Sequence, residues 1–84
     1  MKGYKLLKKL QHLLDAEYRE QVVRRESLKK VLKKLRKRRD ALQQALERAE
    51  TDKERRLIRE QMDIIKVQRE KGLTLLSELK QRQD

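Results

Sequence analysis

From Tyr4 to Leu14 the chain reads YKLLKKLQHLL. Projected at about 100° per residue, Leu6, Leu7, Leu10, Leu13 and Leu14 fall in one sector, with Lys5, Lys8, Lys9 and His12 opposite. This spacing predicts an amphipathic helix. The stripe continues less tidily through Tyr18 and Val22, and the RRES run at 24 to 27 weakens it without a breaker. Beyond it, Leu28, Leu35, Leu42 and Ala49 recur every seven residues, and Val31, Leu32, Ala45 and Leu46 fill the intervening turns. That is the a/d-type seam of a packed helix. Only Arg39 intrudes, and its aliphatic stem can cover the seam while the charged head reaches water.

Thr51 followed by Glu54 has the form of a capping box. Asp52 and Glu54 suit the positive end of a new helix, so residues 50 to 53 are the expected turn. The last segment repeats the seam with Ile58, Met62, Ile65, Gly72, Leu76 and Leu79. Gly72 weakens that helix by about 1 kcal/mol relative to Ala, a cost more often tolerated for close backbone approach than for catalysis.

The expected fold is all-α: one domain over residues 1 to 84, with a helix over about 4 to 49, a turn over about 50 to 53 and a helix over about 54 to 81. Folding at Thr51 makes an antiparallel hairpin with coiled-coil-like packing. Leu46 then faces Leu57, Ala41 faces Met62, Val31 faces Gly72 and Leu28 faces Leu75. A first helix of that length spans roughly 70 Å, which leaves the Leu6, Leu7, Leu10, Leu13 and Leu14 stripe uncovered by the returning helix. A second copy covering it, in a homodimeric bundle, is the favoured arrangement. A three-helix bundle, with the arm folded back, is the runner-up.

Composition agrees with helices: 46% charged residues, no Pro, two Gly and 2% aromatic. With no cysteine, disulfides and thiolate zinc sites are impossible. No apolar run approaches a membrane span or a signal-peptide core, so a soluble cytoplasmic protein is expected.

Charge changes the picture most. The formal net charge of +11 lies wholly in residues 1 to 39, which hold fifteen Lys and Arg against Asp15, Glu17, Glu20 and Glu26. Residues 40 to 84 hold ten of each sign. The densest stretch, KKVLKKLRKRR, contains Lys29, Lys30, Lys33, Lys34, Arg36, Lys37, Arg38 and Arg39. In the hairpin Glu70 would approach Lys33, Glu78 would approach Arg24 and Arg25, and Asp63 would approach Arg39, yet the zone keeps a large positive excess. Such a surface repels itself and attracts polyanions.

Nucleic acid is the leading partner, bound through phosphates with little base specificity. There is no zinc-finger or helix-turn-helix spacing, no Asn to pair with adenine, and no aromatic platform for unstacked bases. An adaptor or chaperone docking an acidic protein stands nearly level. Peripheral binding to an anionic membrane through residues 4 to 14 comes third.

His12 and Asp15 make a poor metal pair. Ser27, Ser77, Thr51 and Thr74 have no histidine partner by spacing, and no Gly-rich phosphate loop occurs. No enzyme activity, metal, cofactor or small-molecule substrate is expected.

Overall fold

The structure is a computed structural model that describes the backbone of residues 2 to 82 and the side chains of residues 4 to 81. Four helices pack together: α1 (Lys2–Asp15), α2 (Tyr18–Val23), α3 (Arg25–Arg48) and α4 (Asp52–Arg82). No helix among the described residues is long and apolar enough to cross a membrane.

α3 and α4 form the antiparallel hairpin. α3 ends where Ala49 turns to extended backbone (φ −64°, ψ 133°). The connection is residues 49 to 51, one to two residues earlier than the spacing suggested. Glu54 N donates to Thr51 Oγ1 at 3.1 Å, which satisfies one early amide of α4. The Glu54 carboxylate reaches back to the Glu50 amide at 3.3 Å rather than to Thr51. Arg55 ties the corner: it donates to the Ala49 carbonyl at 3.3 Å and pairs with Asp52 at 2.7 Å.

The register of the hairpin is set by Gly72. A Cβ there would stand 2.6 Å from Leu32 Cδ2 and 3.2 Å from Leu10 Cδ1. The glycine therefore marks where α1 and α3 both press on α4, with Leu32 opposite rather than the expected Val31. Arg69, one turn earlier, donates from Nε to the Leu32 carbonyl at 3.2 Å.

The first half departs from a single helix over 4 to 49. Glu17 is extended (φ −64°, ψ 153°), and Arg24 leaves helical geometry between α2 and α3 (φ −96°, ψ 17°). α1 thereby folds back onto the hairpin, as in the runner-up arrangement. Leu10 and Leu13 enter one core with Leu28, Val31, Leu32, Leu35, Leu42, Ile65 and Leu79, and Leu6, Leu7 and Leu14 pack against it. The stripe assigned to a second copy is thus covered from within its own chain.

The reason is energetic. Burying a leucine stabilises by about 1.5–3 kcal/mol, whereas each helical hydrogen bond given up at the break is worth about 1 kcal/mol net. Part of that loss is recovered, because Gln21 Nε2 donates to the Leu13 and Leu14 carbonyls at 3.1 and 3.2 Å and so caps the end of α1. Across the bundle, Gln68 donates to Gln11 at 2.8 Å. The molecule measures 50 × 20 × 15 Å, close to the roughly 46 Å expected for α4 alone and far from a 70 Å rod.

Candidate polyanion-binding face

The core positions of α3 (Leu28, Val31, Leu32, Leu35, Leu42) occupy one side of the helix. Lys30, Lys33, Lys34 and Lys37 are exposed on the opposite side. At 1.5 Å per residue this row runs about 10 Å along the axis. Arg36 is exposed on its flank, while Lys29, Arg38 and Arg39 are half-buried nearer the neighbouring helices.

Few of these charges are compensated. Lys29 meets Glu26 at 3.4 Å, and Arg39 meets Asp40 at 3.5 Å. Both pairs lie within α3 and at its surface, where such contacts contribute at most about 1 kcal/mol. Among the described residues, Lys30, Lys33, Lys34, Arg36, Lys37 and Arg38 have no ion-pair partner. The expected bridges from Glu70 to Lys33 and from Asp63 to Arg39 are not formed, and Arg24 instead pairs with Glu20 at 3.1 Å.

α4 adds Arg69 to this cluster, as the hairpin register inferred from the two seams implies. Arg69 is held over the seam by the Leu32 carbonyl. Burial lowers its pKa, the adjacent Arg39 and Arg36 lower it further, and Asp40 opposes them. A guanidinium remains charged under such shifts, so three arginines repel one another beside the lysine row. What the register did not specify is the anchor, the Nε hydrogen bond to the Leu32 carbonyl.

A second basic feature came from the fold. Lys5, Lys8, Lys9, His12 and Arg24 line a groove of about 350 Å³ with Leu13 and Glu20. His12 is thus set among lysines, and Asp15 is held by Gln11 at 3.1 and 3.0 Å. The polar face of α1 was visible in the sequence. Its meeting with Arg24 required the break at Glu17.

The α3 face also lacks something. Among the described residues, the exposed large apolar side chains are Tyr4, Tyr18, Val23, Leu57, Ile64, Val67 and Leu73, none of them on α3. Protein-docking surfaces draw most of their affinity from a few desolvated aromatic, arginine or aliphatic anchors. Phosphate binding needs only correctly spaced cations. Of the α1 leucines, Leu10 and Leu13 are buried in the core, and Leu6, Leu7 and Leu14 are half-buried against it.

Comparison with protein-family models, with curated proteins and with solved structures finds no match for this chain.

Proposed function

We propose that this protein is a non-enzymatic nucleic-acid-binding protein that grips the phosphate backbone through the α3 face with little dependence on base sequence. The observation that carries this reading is the row Lys30, Lys33, Lys34 and Lys37, exposed and without ion-pair partners among the described residues. Each phosphate contact releases condensed counterions, a gain independent of sequence. Lysine on an exposed helix face supplies a point charge rather than a bidentate base contact. Arg36 and Arg38 extend the field to either side.

An acidic protein partner fits the charge but less well the surface, because no apolar anchor accompanies the lysines. A membrane surface fits least, because Leu10 and Leu13 of the leucine face it would need are buried in the chain's own core.

The test is fluorescence anisotropy at low salt with labelled duplexes of unrelated sequence, an RNA duplex and poly-glutamate. Affinities for the nucleic acids should agree within about tenfold, and poly-glutamate should bind more weakly. A strong preference for one DNA sequence, or tighter binding to poly-glutamate, contradicts the proposal.

A further inference from the structure

α4 carries a second heptad stripe of exposed residues, beside the one that enters the core. Lys53, Leu57, Glu60, Ile64, Val67, Lys71, Thr74 and Glu78 follow one another at spacings of three and four. All eight are exposed, and Leu57, Ile64 and Val67 are each about half accessible. None of the four charged members forms an ion pair among the described residues. Ile64 and Val67 line a shallow apolar depression with Asp63 and Gln68.

The order of residues in this stripe is self-complementary on reversal. We propose that the outer face of α4 is a homodimer interface in which two copies pack α4 against α4 antiparallel, about a two-fold axis between Ile65 and Lys66. In that register Lys53 faces Glu78 of the second copy, Leu57 faces Thr74, Glu60 faces Lys71 and Ile64 faces Val67. The two-fold repeats every pair. Four ion pairs then flank a central apolar cluster of two isoleucines and two valines, over a contact of roughly 38 Å.

The charges also select against the alternatives. A parallel in-register pair sets every charge against itself. An antiparallel slip of one heptad sets Lys53 against Lys71 in one direction and Glu60 against Glu78 in the other. The chosen register has one opposing feature: Asp63 comes beside Glu70 of the second copy, at a solvated edge where like charges cost little. This interface uses no residue of the α1 stripe and none of the α3 lysines, so it stands independently of the proposed nucleic-acid binding.

The test is sedimentation equilibrium of the full chain alone at low salt, with Glu60→Lys, Lys71→Glu and an equimolar mixture of the two. The wild type should show a concentration-dependent monomer–dimer equilibrium. Each single variant should weaken it by about tenfold or more, because two attractive pairs become repulsive. The mixture should recover assembly, since the lysines at 60 and 71 of one chain meet glutamates of the other. Ile64→Lys should abolish the dimer, and unchanged far-UV circular dichroism should show that the helices persist in all variants. A wild type monomeric at every concentration, single variants that assemble like the wild type, or a mixture that stays monomeric would each overturn the proposal.

Discussion

Lys30→Gln, Lys33→Gln, Lys34→Gln and Lys37→Gln together should lower affinity for duplex DNA about a thousandfold at about 0.1 M salt, without loss of fold. Each phosphate contact adds about 0.9 to the log-log dependence of affinity on salt, so losing four makes the slope shallower by about 3 to 4. The variant and wild-type lines should converge toward about 1 M salt, where counterion release contributes little. The four side chains are exposed and the core leucines lie on the other side of α3, so packing is untouched. Removing charge from a self-repelling surface should leave the melting temperature equal or raised. Weaker binding from a chain that is no less stable separates a lost contact from a lost fold. An unchanged salt slope, measured by anisotropy across a salt series, would remove the lysine row from the interface.

Leu10→Ala should cost about 3 kcal/mol in urea unfolding. Leu10 is fully buried and stands against the Gly72 backbone where α1 crosses α4. Leu-to-Ala changes at such sites lose both transfer energy and packing around the residual cavity. For a chain of this length, whose total stability should be about 4–12 kcal/mol, that is a large share. Leu57→Ala, at a half-exposed position, should cost about 0.5 kcal/mol or less when the protein is dilute. The Leu10 cost should also be the same at every protein concentration. A cost that grows with concentration would mean that a second copy, rather than the chain itself, covers the α1 leucines.

The hairpin was legible because its signals are local and mutually consistent. Thr51 and Glu54 announced a helix start, and the seams on either side agree in register around Gly72. The fold-back of α1 was less legible, and for a physical reason. Ala16, Glu17 and Arg24 are not helix breakers, so nothing in the local sequence compels the chain to leave the helix there. The break follows from where the leucine stripe finds cover, a tertiary gain that propensity does not encode. Gln21, which caps α1 through two carbonyls, is an ordinary helix residue by sequence. The lysine row could be read directly from KKVLKKLRKRR, since the same seam that buries Leu28, Val31, Leu32 and Leu35 turns Lys30, Lys33, Lys34 and Lys37 outward. Arg69 could be assigned to the same zone from the hairpin register, whereas its hydrogen bond to the Leu32 carbonyl and the groove beneath Lys5, Lys8 and Lys9 appeared only in three dimensions. The expected bridges from Glu70 and Asp63 do not form: register gives proximity in the abstract, but long solvated side chains gain too little from pairing to be held.

Lysine acetylation with and without saturating duplex DNA, read residue by residue by mass spectrometry, locates the contact most directly. Lys30, Lys33, Lys34 and Lys37 should be protected by DNA, while Lys53 and Lys71 on the outer face of α4 should react as in the free protein. Equal protection of all six, or protection of Lys53 and Lys71 with the α3 lysines still reactive, would contradict binding through α3.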